Sequence, residues 1–149
     1  PIPKIWDAVS SVNLEVNSNY GYLFFSEENH SQFDHVVESL RTKPDGRQAT
    51  AIYTRPTMHA DWNRDGMHDF VCTNAVNYFR RGDEVHAVVQ MRSNDVVFGY
   101  RNDYAWQKVA LQMVCSAVGN EVVPGDIIWQ AASLHVYPRH FHLVKEMAK

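Results

Sequence analysis

An α+β fold, a largely antiparallel sheet covered by long helices, is the architecture this sequence predicts, and three observations predict it. Two apolar runs, Asp69 to Phe79 and Val85 to Met91, flank Arg81-Gly82-Asp83, which is a hairpin signal. A helical stripe passes through Trp106, Val109, Ala110, Met113, Val114 and Ala117 and stops near Gly119 and Asn120. A second stripe, Phe33, Val36, Val37 and Leu40, ends near Lys43 and Pro44.

The elements follow in order. Trp6, Val9 and Val12 have loose helical spacing, and Asn17 to Gly21 reads as a turn around Tyr20. Ser26 is the expected cap of the helix that carries Phe33 to Leu40. After the Pro44-Asp45-Gly46 turn, Gln48 to Arg55 reads as a strand and Pro56 to Met67 as an irregular polar loop. In the next strand Phe70, Cys72, Asn74, Val76 and Tyr78 share one face by strict alternation. Asp103 opens the long helix, Pro124-Gly125-Asp126 is a turn, Ile127 to Val136 a long strand, and Arg139 to Met147 a final helix.

Composition narrows the function. A chain of 149 residues, 45% hydrophobic and 12% aromatic, fills one core, so residues 1–149 are expected to form a single domain. A net charge of -3 gives no basic field for a nucleic acid, so any phosphate must be held by local arginines, and a free nucleotide suits that better than a duplex. Two cysteines, Cys72 and Cys115, make no disulfide framework, and no apolar run has the length of a membrane span, so a cytoplasmic protein is expected, without a membrane partner. The chain opens at Pro1 without methionine, so a longer natural protein is expected.

The chemistry concentrates between Gln90 and Gln107. Arg92, Ser93, Asn94 and Asp95 are poor core material and good flooring for a small polar ligand, with the Arg92 fork suited to phosphate. Cys72 reads either as a small buried hydrophobe or, beside a guanidinium, as a nucleophile. Cys115 reads as packing. Arg47 and Arg55 read as solvated or as phosphate ligands. His135, His140 and His142 fall within eight residues but alternate away from one another, so no metal site is expected. His135 and Tyr137 share a strand face from which they can hydrogen-bond a sugar hydroxyl. Asp103 reads by position as a helix cap.

These residues resemble the thymidylate synthase family. Arg92 to Asp95, then Gly99 and Asp103, are similar to its Arg-Ser-x-Asp segment and later Asn; His135-Val136-Tyr137 is similar to its His-Val-Tyr. Pro44 to Arg47 resembles the turn carrying its phosphate-binding arginines, and Cys72 stands where its catalytic cysteine stands. Asn17 to Gly21, Ile52 to Pro56, Asp65 to Met67, Cys72 to Asn74 and Met91 to Lys108 look most like its dCMP-hydroxymethylating branch in bacteriophages.

The resemblance implies a thymidylate synthase-like fold and a hydroxymethyl transfer to C5 of dCMP, with 5,10-methylenetetrahydrofolate as co-substrate and no metal. It implies that the Cys72 thiolate adds to C6, that C5 then takes the one-carbon unit, and that water adds to the exocyclic methylene left when tetrahydrofolate departs. Arg92 is expected to hold phosphate and bias the thiol toward thiolate, and Ser93 to assist. Asn94 and Asp95 are expected to floor and orient the site, and His135 and Tyr137 to meet the 3'-hydroxyl. Trp6 and Tyr20 are expected to line the folate and base pocket, and Arg47 to reach the phosphate of a second subunit in a homodimer. Asp103 replaces an asparagine, and a carboxylate that accepts from the C4 amine and holds the N3 proton is complementary to cytosine. Gln48 stands where the second arginine of a tandem pair is expected, and an arginine loop and a water-ordering glutamate are expected upstream of Pro1. Other open readings are a C5 transferase acting on CMP or dUMP and a nucleotide-binding member without catalysis.

Overall fold

The computed structural model describes residues 4–148; Pro1 to Pro3 and Lys149, the ends of the expected domain, lie outside them. The strands are β1 (Thr50–Ile52), β2 (Thr73–Arg81), β3 (Glu84–Met91), β4 (Asn94–Asp95), β5 (Val123–Ala131) and β6 (Leu134–His135). The helices are α1 (Ile5–Val9), α2 (Tyr20–Phe25), α3 (Gln32–Thr42), α4 (Met58–Asp61), α5 (Gly99–Val118) and α6 (Phe141–Met147). One sheet has the order β1-β2-β3-β5, with β5 parallel to β3 and the other pairings antiparallel. The short β4 and β6 pair separately and in parallel.

The expected hairpin is the sheet's centre. Arg81 pairs with Glu84, and Gly82 at φ +61° supplies the left-handed first turn residue that matches strand twist. Packed on one face are α3 and α5, which bury Phe24, Tyr53, Val76, Tyr78, Val85, Ala87 and Val89 against Val36, Leu40, Leu111 and Val114. Ile52 and Ile128, pointing the other way, are more than half exposed.

Strict alternation fails in β2. Thr73 pairs with Met91 but Ala75 pairs with Gln90, so β2 carries one extra residue. Val71 and Thr73 are buried before this bulge and Val76 and Tyr78 after it. Cys72 therefore leaves the row that buries Val76 and Tyr78, and it is half-buried instead of sealed in the core. The Asn74 carbonyl at the bulge accepts from the N–H groups of both Tyr53 and Thr54, which fixes the end of β1 beside it.

Other expectations are corrected by local chemistry. Asn17 to Gly21 is the entry to α2, whose first turn donates Tyr22 N–H to the Asn19 side chain. Ser26 caps only the single 3₁₀ turn Glu27–Asn29, not α3. The strand expected over residues 48–55 shrinks to β1, and the Gln32 amide bonds both the N–H and the C=O of Ile52 along its edge. The loop from Pro56 to Met67 contains α4 and the 3₁₀ turn Arg64–Gly66. The Pro124 turn is instead a bulge inside β5, bridged where Asp126 N–H donates to His86 Nδ1 at 2.9 Å. The long strand beyond it divides into β5 and β6. The long helix begins at Gly99, four residues before Asp103, and its buried face is Gln107, Ala110, Leu111, Val114, Cys115 and Val118, leaving Val109 and Met113 exposed. Among the described residues no helix is long and apolar enough to cross a membrane.

Candidate active site

The Cys72 thiol, the Arg92 guanidinium, the Tyr20 hydroxyl and the Asp103 carboxyl converge where the start of β2, the chain leaving β3, α2 and α5 meet. Arg92 follows the last residue of β3, and its peptide N–H donates to the Cys72 carbonyl at 2.9 Å. Its guanidinium turns back along the same segment. Nε donates to the Val71 carbonyl at 2.9 Å and Nη2 to the Phe70 carbonyl at 2.6 Å, while the group lies 4.5 Å from the Phe70 ring centroid. Nη2 is also 3.8 Å from Cys72 Sγ.

Burial pushes the Cys72 thiol above its ordinary range, Arg92 pulls it down, and Asp103 and Asp69 push it up again. The expected thiolate bias from Arg92 is therefore present but outweighed in the free site. Asp69 is itself held by Ser18, whose N–H and Oγ both donate to its carboxylate at 2.6 Å. Asn17 donates to the Asp69 carbonyl at 2.9 Å, so the approach to the cysteine is clamped from α2's entry loop.

Asp103 lies in the second turn of α5 and does not cap it. The N-cap is Phe98, without a side-chain cap bond, and the Asp95 carboxylate braces the loop before it by accepting from Val97, Phe98 and Gly99 N–H groups at 3.2 to 3.4 Å. Burial lifts the Asp103 carboxyl to about 6, against a hydrogen bond from Asn94 that lowers it. Tyr20 faces both Cys72 and Asp103, its hydroxyl accepts from Thr73 Oγ1 at 2.9 Å, and burial raises its pKa far above the ordinary phenol range. Its ring stands edge-on to Tyr53 with centroids 5.1 Å apart.

Asn94 differs from the expected floor residue. It is 1% exposed, with Nδ2 donating to Asp103 Oδ2 at 2.8 Å and Oδ1 accepting from Trp129 Nε1 at 3.1 Å. Its side chain is spent inside the protein, on Asp103 and Trp129. Ser93 is half-buried between Arg92 and β4. The β4–β6 ladder sets Asp95 beside His135, whose ring meets the Tyr137 ring edge-on at 4.9 Å, and Arg139 covers Tyr137 at 4.3 Å. Arg47 is exposed beyond the Pro44 turn and Trp6 is half-buried on α1; no hydrogen bond or ring contact joins either to the group around Cys72 among the described residues.

Sequence reading overlooked Thr73 and Trp129, which act only through partners remote in sequence. Alternation carried a usable signal for Trp129, since it shares a face of β5 with Ile127 and Ala131 against the core. Cavity size does not locate the site. Cavities of about 380 Å³ beside Tyr104 and Pro124, and about 390 Å³ beside His35 and Arg55, contain neither Cys72 nor Asp103.

Comparison with known proteins bears on this group of residues. The sequence is 52% identical over 147 residues to the deoxycytidylate 5-hydroxymethyltransferase of Enterobacteria phage T4, covering 95% of this chain and 60% of that protein. It is 25% identical over 123 residues to a putative thymidylate synthase of Methanocaldococcus jannaschii, covering 82% of this chain and 54% of that one. It is 23% identical over 147 residues to the thymidylate synthase of Bacillus subtilis subsp. natto, covering 95% and 50% respectively. The chain thus spans between half and three-fifths of the length of these relatives. The profile of the family described as thymidylate synthase matches residues 3–149, and the chain belongs to that family.

Proposed function

We propose that this chain carries the nucleotide-binding and nucleophilic part of an enzyme that transfers a hydroxymethyl group to C5 of dCMP. The observation that carries the reading is the carboxyl at Asp103, beside Cys72 and Tyr20 and lifted by burial to about 6. A buried carboxyl near neutrality can both accept from the cytosine amine and lend a proton to N3. The likeness to the phage deoxycytidylate 5-hydroxymethyltransferase supports the same base.

Cys72 supplies the sulfur that bonds C6, and the displaced π pair makes C5 nucleophilic. A proton at N3, shared with Asp103, draws that pair through the ring. Methylenetetrahydrofolate, when bound, supplies an electrophilic one-carbon unit to C5, and Tyr20 and the half-buried Trp6 are assigned to line its pocket. Loss of the C5 proton expels tetrahydrofolate from the new carbon to give an exocyclic methylene, water adds to that carbon to leave a hydroxymethyl group, and expulsion of the Cys72 thiolate restores the ring. Arg92 holds phosphate with Ser93 and draws the thiol toward thiolate; its two carbonyl bonds keep the guanidinium on the cysteine segment. His135 and Tyr137 are assigned the sugar, and Asp95 orients the floor by bracing the loop that leads into α5. The exposed Arg47 is assigned to a second subunit's phosphate in a homodimer.

Incubation with dCMP labelled with tritium at C5, with and without methylenetetrahydrofolate, tests the reading. Tritium release with formation of 5-hydroxymethyl-dCMP is expected. Binding of dCMP without release or product would leave the nucleotide-binding alternative in its place.

A further inference from the structure

We propose that Trp129, acting through Asn94, is a positioning residue that fixes which oxygen of Asp103 carries its proton, and so sharpens the choice of cytosine over uracil. The inference rests on the reading of Asp103 as the base contact.

The argument is one of donors and acceptors. An indole N–H only donates, so the Asn94 atom facing Trp129 at 3.1 Å must be the amide oxygen. The amide is 1% exposed and has no room to present a different edge to water. Its NH₂ is therefore turned toward Asp103 Oδ2, at 2.8 Å. An NH₂ group only donates as well, so Oδ2 is kept as an acceptor, and when the carboxyl is protonated the proton sits on Oδ1. The acid then offers one donor and one acceptor in fixed order. With Oδ1 set toward N3 and Oδ2 toward the C4 amine, the orientation the proposal assigns, cytosine, with an acceptor at N3 and a donor amine at C4, matches that order. Uracil, with N3–H and O4, requires the reverse and would place the proton where Asn94 is already donating.

Trp129 is held for this role from both sides. Its ring meets Tyr100 edge-on at 5.3 Å and Tyr104 at 6.0 Å, and it belongs to β5, paired with Val89 of β3. The titratable groups near Asp103 are Tyr20 from α2, Cys72 just before β2 with Arg92 behind the thiol, and Asp95 across Gly99. Loss of the acid-range titration in Asp103→Asn assigns it to Asp103 and not to Asp95.

Trp129→Phe keeps a ring in the aromatic cluster and removes only the indole donor. Asn94→Leu removes the amide. Calorimetric binding of dCMP and dUMP is expected to show the dCMP-to-dUMP affinity ratio falling about tenfold in each, as for loss of one charge-linked hydrogen bond. An unchanged ratio in both variants would overturn the proposal, and a change in Asn94→Leu alone would overturn the part assigned to Trp129. Where a variant does not fold, side-chain NMR of the unsubstituted protein decides. The Trp129 indole N–H and Asn94 NH₂ signals are expected to titrate together near pH 6 in the absence of ligand; an indole signal that does not follow would refute the relay. Equal binding of dCMP and dUMP by the unsubstituted protein would sink the base-reading of Asp103, and the NMR titration would still decide whether Trp129 and Asn94 set its proton.

Discussion

Cys72 and Arg92 are joined twice: the sulfur lies 3.8 Å from Arg92 Nη2, and the Arg92 peptide N–H donates to the Cys72 carbonyl at 2.9 Å. Further bonds to the Phe70 and Val71 carbonyls lock the guanidinium to the peptide units just before the cysteine. Burial alone would leave the thiol inert, so the charge that opposes burial must be held close and at fixed geometry.

Arg92→Lys keeps the charge and loses the fork, because an ammonium cannot reach both carbonyls and the sulfur in one plane. The midpoint of Cys72 alkylation by iodoacetamide against pH is expected to rise by about 1 unit, the lower end of the effect of a close opposite charge. Tritium release from C5-labelled dCMP should fall at least about 100-fold, in keeping with loss of an oriented charge at a reacting centre. Cys72→Ala should abolish release, and persistent release would remove Cys72 from the nucleophile's role.

Gly125 tests the β5 bulge apart from the chemistry. A Cβ there would stand 2.6 Å from the His86 ring, which accepts the Asp126 N–H at 2.9 Å. Gly125→Ala must displace the ring and break that bond, at a cost of about 1–2 kcal/mol. In a His86→Ala background the same change should cost little, so urea unfolding of the four proteins of the cycle should show coupling of about 1 kcal/mol. Additive effects would mean that the ring does not clamp the bulge.

The hairpin and the two covering helices were legible because turn residues and apolar spacing act locally. The bulges at Asn74 and Gly125 were not, since each depends on the partner strand's register. For that reason alternation grouped Cys72 with Val76 and Tyr78, and the helix expected to open at Asp103 opens four residues earlier, at Gly99. Arg92 and Cys72 could be singled out as reactive types, and Tyr20 and Asp103 through the family resemblance. Their enclosing partners, Thr73, Asn94 and Trp129, are ordinary residues that acquire roles only when distant strands meet.

Asp103 should be a measurable burden on the ligand-free fold. Its carboxyl rises from 3.8 to about 6 on folding, so between these values the folded chain holds a proton that the unfolded chain has lost. Stability contributed by that proton is full below about pH 4 and is lost as pH rises through about 6. Asp103→Asn cannot ionise and still accepts from Asn94. It should therefore be more stable than the parent by about 3 kcal/mol at alkaline pH, with the difference vanishing in acid. Urea unfolding at the two extremes measures it, and equal stability at both would show that burial does not penalise the charge.

The same proton gives nucleotide binding a sign. Reading cytosine requires a proton between Asp103 and N3, which the free site holds below about pH 6 and releases above it. Affinity for dCMP should therefore weaken as pH rises beyond 6, toward a limit of tenfold per unit for one coupled proton. Uracil's own N3–H can donate to the ionised carboxylate while its O4 is left without a donor, so dUMP affinity should be weak and flat or rising over the same interval. Asp103→Asn has no proton to gain or lose at this position and should flatten the dCMP profile. Calorimetry across this range with both nucleotides checks the sign. A dCMP profile that keeps its slope in Asp103→Asn would place the proton on another group.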